Sequence, residues 1–234
     1  MKRQTWVRLI LALILLLLLI FWLIENCPGK QPPEEPQPQE GKVVFVSSQL
    51  FDGNFGAGQK VLGHLEADQR CQDLAGEAGV SGTFEAWISG RVDTGAGPLP
   101  HGVVDRFSQS AAPYRLVNGI QVADDWGDLT DGSLDHAIDV DEYGNGVGEE
   151  TRVWTNTRTN AAAWDNRTQC AAGIEPDDTG VWSWSCGAPS WTPGDCAFQS
   201  GKYGQANSAS GSWTGTGSSN DSCSNQFHIY CFEQ

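Results

Sequence analysis

The sequence predicts an α+β domain with few helices, antiparallel strands and long loops, stapled by disulfides and placed after an N-terminal transmembrane helix. Three observations predict it. Six of the seven cysteines lie between Cys71 and Cys231, beyond a long apolar N-terminal run. An even set of cysteines past a membrane segment reads as three disulfides formed in an oxidising compartment. Gly (28) and Trp (10) are abundant, Met occurs once and only 18% of residues are charged, which suits a loop-rich extracellular module better than a helical cytosolic enzyme. Finally, β-branched and aromatic runs open and close the region after residue 42, as buried strands do.

The N-terminal element comes first. Lys2, Arg3 and Arg8 precede an unbroken apolar run from Leu9 to Ile24, and the span counted from Trp6 is nineteen residues, close to the roughly twenty needed to cross a bilayer. Glu25, Asn26 and Cys27 follow with no small-x-small cleavage site, so residues 1–26 are expected to be an uncleaved signal anchor with its N-terminus in the cytoplasm. The alternative is a lipoprotein in which Cys27 is lipid-modified after cleavage, although the residues before it are not small. Residues 27–42 carry five prolines and no large apolar side chain, the composition of a semi-rigid polyproline II linker.

Residues 43–234 then form the domain, long enough to bury a core of their own. The run VVFV at 43–46 is a buried strand and residues 62–78 a helix, because Leu62, Leu65, Cys71, Leu74, Ala75 and Ala78 recur mostly at three- and four-residue spacing before Gly79. Residues 84–88 make a half-buried strand. Asn118-Gly119, flanked by YRLV and IQV, predicts a hairpin with a two-residue type I′ turn, in which both central residues take positive φ. Residues 153–155 and 228–232 supply two more strands. The rest, rich in Gly, Ser, Asn, Asp and Trp, reads as long loops.

In that order, VFVSSQLFDGNFG, a helix with one cysteine, SGTFEAWIS, APYRLVNGIQVADDWGDLTDGSLDHAIDVDEYG, VWTNT and IYCFEQ resemble a domain of unknown function found in bacterial surface proteins and lipoproteins. That family is thought to have a C-type-lectin-like, or endostatin-like, fold. The resemblance spans residues 43–234 with an interruption at about 158–195, and it implies an exposed binding or adhesion module. It also implies that Cys71 pairs with Cys231 and Cys196 with Cys223. Cys170 and Cys186 fall in the interruption, where they would close an insertion of their own. Six cysteines permit fifteen pairings, so this order rests on the resemblance.

Charge excludes some partners. From Val43 onward the chain holds 9 Lys and Arg against 25 Asp and Glu, a net charge of −16. Such a surface repels nucleic acid and anionic lipid, whose phosphates need clustered cations. Ten of the acidic residues crowd Asp124 to Glu150 with no Lys or Arg among them. Asp139, Asp141 and Glu150, with Gly144 between them, match positions 1, 3, 12 and 6 of a twelve-residue calcium loop, but Tyr143 stands at position 5 and the flanks are not helical. The segment therefore reads either as a calcium loop of another geometry or as aspartates capping turns, as Asp131 before Gly132 does.

Two further candidates lie in the insertion. Glu175-Pro176-Asp177 reads either as a chance turn or as a mixed form of the triplets with which C-type lectins bind sugar through calcium, although Ser212-Trp213-Thr214 stands where the second carboxylate is wanted. Trp182, Trp184 and Trp191 read either as a ligand-stacking surface or as the insertion's own small core. His64, His101, His136 and His228 have no metal-ligand spacing, and no nucleophile elbow, zinc-protease or phosphate-loop motif occurs. The expected function is non-enzymatic recognition or adhesion at the cell envelope, of a glycan or a surface protein. The competing readings are a structural envelope component and a hydrolase using the acidic segment.

Overall fold

The structure, a computed structural model, describes residues 13–19, 21–22, 41–53, 55, 63–93, 98–164, 174–176, 182–184, 200–215 and 219–234. The chain divides into two compact units, Met1–Gln39 and Glu40–Gln234. In the first, residues 13–19 and 21–22 are helical and their apolar side chains are 48% to 64% exposed. Among the described residues no helix is long and apolar enough to cross a membrane. The remainder of the expected nineteen-residue span, the Pro-rich linker and Cys27 lie outside them.

The second unit is built on its last strand. The element order is β1 (Lys42–Val46), β2 (Phe51–Asp52), α1 (Gly63–Ala78), β3 (Phe84–Ala86), β4 (Gly90–Asp93), β5 (Pro98–His101), a 3-10 turn (Val103–Asp105), β6 (Tyr114–Leu116), β7 (Gln121–Ala123), α2 (Trp126–Leu129), β8 (Arg152–Trp154), β9 (Ile174–Pro176), β10 (Trp182–Trp184), β11 (Ser200–Gln205), a second 3-10 turn (Gly211–Trp213), β12 (Asn220–Ser222) and β13 (Gln226–Glu233). The main sheet runs β12-β11-β8-β13-β1-β6-β7, with β2 and β3 also paired to β13. Every stretch of β13 is therefore bonded: to β2 at Gln226 and Phe227, to β8 at His228 and Ile229, to β1 from Tyr230 to Phe232, and to β3 from Cys231 to Glu233.

The fold class holds as α+β with few helices, but the sheet is mixed rather than antiparallel. β1 lies parallel to β6, and β8 parallel to β13. Parallel neighbours need long connections, and both pairs have them, one through α1 and the other through the chain between residues 155 and 225. A run of apolar residues with no polar alternation is what a strand buried on both faces requires. Val44 and Val46 of β1 and Tyr230 and Phe232 of β13 enter one core, with Trp87, Phe107, Tyr114, Leu116 and Trp213. The alternate residues Phe45, Ile229 and Cys231 enter a second core, with Ala67, Cys71, Leu74, Phe84 and Trp154, as the two-residue period of a strand dictates.

Helix α1 covers that second face with Ala67, Cys71, Leu74 and Ala75, and stops where Gly79 takes a φ of +74°. Leu65, expected on the apolar face, is 48% exposed, and Leu62 lies outside the described residues. The predicted hairpin forms, with a different turn. Gly119 N–H donates to Leu116 O at 2.8 Å and Leu116 N–H to Ile120 O at 2.8 Å, while Gly119 alone has a positive φ, +89°. This is a three-residue loop with glycine in the left-handed position rather than a type I′ turn. Asn118 adapts by accepting Ile120 N–H on its side-chain oxygen at 3.2 Å.

Cys71 and Cys231 are bonded, as the resemblance implied. Cys223 is also in a disulfide, with a partner outside the described residues, as are Cys170, Cys186 and Cys196. The Cys71–Cys231 cross-link spans 160 residues, and a loop of that size removes about 5 kcal/mol of unfolded-chain entropy. Replacing both cysteines by Ala is expected to cost about 5 kcal/mol in a denaturant titration and roughly 10–20 °C in melting temperature. A loss under about 1 kcal/mol would show that packing alone holds α1 on β13.

Candidate functional site

The acidic segment is folded around its own carboxylates. Asp125 caps α2 by accepting Asp128 N–H at 3.0 Å, and Asp128 in turn accepts Asp124 N–H at 2.8 Å. Asp131 accepts Ser133 N–H at 3.0 Å, the expected turn before Gly132. Asp141, 8% exposed, takes the amides of Tyr143 and Asn145 at 2.9 and 2.8 Å and the Asn145 side-chain amide at 3.1 Å. Glu142 is 1% exposed and reaches back across the fold to Ser48, accepting its N–H at 2.8 Å and its hydroxyl. Asp139 lies 3.8 Å from the His136 ring, and Glu150 is exposed. Asp139, Asp141 and Glu150 are thus not brought together, and among the described residues no group of three or more His, Cys, Asp or Glu could hold a metal ion. Turn-capping accounts for the carboxylates of Asp125, Asp131 and Asp141.

Of the insertion, the structure describes one hairpin. β9 and β10 pair with Glu175 opposite Ser183, Pro176 opposite Trp182 and Ile174 opposite Trp184. Trp182 and Trp184 therefore occupy alternate positions of one strand. Asp177 and Trp191 lie outside the described residues.

A cleft of about 490 Å³ opens where β13 begins, lined by Leu50, Glu150, Arg152, Gln226, Phe227 and His228 among others. The strand register makes it. Phe227 on β13 stacks on Trp154 of β8 at 4.4 Å and meets Tyr203 of β11 edge-on at 5.4 Å. The Arg152 guanidinium lies over Tyr203 and Phe227 at 4.9 and 5.5 Å, and is fixed by an ion pair with Asp221 at 2.6 Å. His228 Nδ1 is 2.5 Å from Ser47 O. A carbonyl only accepts, so Nδ1 carries the hydrogen and Nε2 of the neutral ring is left as an acceptor. The wall thus offers a carboxylate, an imidazole acceptor and an amide beside one exposed apolar side chain. Leu50 is itself 51% exposed.

A second polar centre lies beneath the N-terminal half of α1. The Arg106 side chain is 7% exposed. It donates to both Asp68 oxygens at 3.2 and 3.0 Å, to Glu85 at 3.3 Å, and to the carbonyls of Ala86 and Ile88 at 2.7 and 3.1 Å. Asp68 also accepts Ala86 N–H at 2.8 Å. Burial raises the carboxyls of Asp68 and Glu85 above their ordinary values, against the pull of Arg106. The His64 ring, 4% exposed, lies 5.6 Å from the His101 ring. One residue thereby ties α1, β3 and the 3-10 turn together.

Sequence reasoning passed over Arg106, Arg152 and Glu142 and noted of His228 only that it has no metal-ligand spacing. The one available signal was scarcity: with 9 cations in 192 residues, each buried one needs a specific partner. No known protein family matches the chain, and no curated protein is detectably similar to it.

The carboxylate of Asp141 holds a turn by three hydrogen bonds, so Asp141→Ala is expected to cost about 1–3 kcal/mol, the cost of leaving its donors unmet. Urea melts in calcium and in chelator should give the same loss. A loss seen only with calcium would restore the cation to this loop.

Proposed function

We propose that the chain is a membrane-tethered, extracytoplasmic recognition module with a C-type-lectin-like domain, and that it binds a glycan through the cleft at the start of β13 without catalysing a reaction on it. The cleft carries the reading. Its open wall sets the exposed apolar side chain of Leu50 among the side chains of Glu150, Gln226 and His228, and sugar rings present the same alternation of C–H faces and hydroxyls. A carboxylate and an imidazole lone pair accept from hydroxyls, and the net charge of −15 disfavours anionic ligands. The cross-link from helix to last strand supports the lectin-like fold, because such domains carry a disulfide there. The apolar run from Leu9 to Ile24 supports the tether, and the disulfides support an oxidising compartment. Calcium has no part in this reading.

Glu150 is the residue to test, since among the described residues its carboxylate has no backbone donor assigned to it, unlike Asp125, Asp128, Asp131 and Asp141. The full chain in detergent micelles is expected to retain a subset of glycans on an array. A hydrogen bond to a charged acceptor contributes about 1.5–3 kcal/mol, so Glu150→Gln should weaken retention about tenfold or more by calorimetry. Failure to bind any glycan would remove glycan recognition. Binding untouched by Glu150→Gln and Gln226→Ala would place the site elsewhere.

A further inference from the structure

We propose that the first two turns of α1, from Gly63 to Arg70, form an acid-released latch that is closed on the sheet at neutral pH and opens when His64 and His101 take up protons. The inference is independent of the ligand and rests on what surrounds His64. The ring is 4% exposed, and its Nδ1 is buried without a hydrogen-bond partner among the described residues. As the lone-pair nitrogen of a neutral ring this atom is tolerable. As an N–H of imidazolium it would be a charged donor with no acceptor, in a site that already holds the Arg106 guanidinium.

The groups around it come from four directions. Asp68 and His64 belong to α1, Glu85 to β3, His101 to β5, and Asp105 and Arg106 to the 3-10 turn and its end. His101 Nδ1 is 3.9 Å from Asp105, whose carboxylate also accepts Gly102 N–H at 2.8 Å. Arg106 grips Asp68 and Glu85 as described. Desolvation first, then Arg106 and His101, pushes His64 down to about 3. Desolvation and Arg106 lower His101 too, although Asp105 pulls the other way.

The sign follows directly. A histidine whose closed-state value lies below its free value of about 6.5 favours the closed form above that pH and gives up the preference as pH falls. Each such histidine multiplies the open population by up to tenfold per pH unit below about 6.5. Asp68 and Glu85 have raised values, so protonating them favours the closed form, and they oppose opening at the acid end. Release therefore sets in below about 6.5, and the two carboxyls limit it further into the acid range. The Cys71–Cys231 bond sets how far it goes. Residues after Cys71 stay cross-linked to β13, and only the turns before it are free to leave.

Hydrogen exchange of the full chain in detergent micelles, corrected for intrinsic rates, tests this. From pH 7 to 5.5 the amides of residues 63–70 are expected to exchange about tenfold faster while those of 226–233 keep their protection. His64→Gln should reduce the acceleration to the part His101 supplies, and His64→Gln with His101→Gln should remove it. An equal change in both segments, an acceleration unchanged by His64→Gln, or one that survives the double substitution would overturn the latch. If that variant does not fold, exchange at the imidazole C2–H of the wild-type protein titrates His64 itself. A midpoint near 6.5 would overturn the latch, and one well below it supports the latch.

Discussion

Everything in the domain depends on the pairing of β13. Each of its residues has a strand partner, and at Cys231 and Phe232 both edges are paired, to β1 and to β3. Its side chains then divide the molecule. Tyr230 and Phe232 face an aromatic core in which Trp87 lies 4.9 Å from Trp213 and 5.0 Å from Phe232, and the Trp87 indole N–H donates to Thr214 at 2.6 Å. Ile229 and Cys231 face α1. The disulfide at Cys231 therefore joins the strand to the only long helix described in the domain, at a point where packing already brings them together. The cross-link acts on the unfolded chain and the packing on the folded one, so the two contributions reinforce each other.

That division places the polar features. The cleft lies at the first residues of β13, where the strand leaves the core, and its aromatic floor continues the second core through Phe227 and Trp154. The Arg106 centre lies on the same face, between α1 and β3. It is a buried ion network, and such a network is a weak source of stability but an exacting one: removing a single member strands a charge. Here Arg106 joins α1, through Asp68, to β3, through Glu85 and the Ala86 carbonyl. Gly204 makes a comparable demand on the other face, because a Cβ there would collide with the carbonyl of Trp213. Only glycine lets the second 3-10 turn dock on β11.

Much of this frame was legible in the sequence, and the limits have physical reasons. VVFV, IYCF and the helix periodicity announce elements buried by their own composition, and their boundaries agree closely with the structure. Parallel pairing is not legible, since a strand buried on both faces looks the same whichever way its neighbour runs. The turn at Asn118-Gly119 was misassigned because Asn-Gly suits a type I′ turn and a three-residue loop ending in a left-handed glycine alike. Arg106 offered no periodicity or motif. Its role exists only after α1 and β3 converge, which sequence spacing cannot express. The cleft is of the same kind, assembled from residues 50, 150–152 and 226–228, which meet only through the register of β8 and β13.

The acidic segment shows how one residue type can carry two opposite readings. A calcium loop and a chain of capped turns both need carboxylates at short spacing and a glycine with positive φ, and Gly144 has one, +80°. Geometry separates them. A cation needs several carboxylates converging on one point, whereas turns need each carboxylate aimed at its own nearby amides. Asp125, Asp131 and Asp141 take the second arrangement, and the buried Glu142 ties the loop to Ser48, two residues past the end of β1. Most of the acidity in this stretch is therefore spent inside the chain, holding a loop that has little regular structure. A carboxylate engaged in this way is a poor ligand, because binding it would first require breaking the turn it caps. A carboxylate with no such duty stays open to a ligand, and Glu150, at the rim of the cleft, is one.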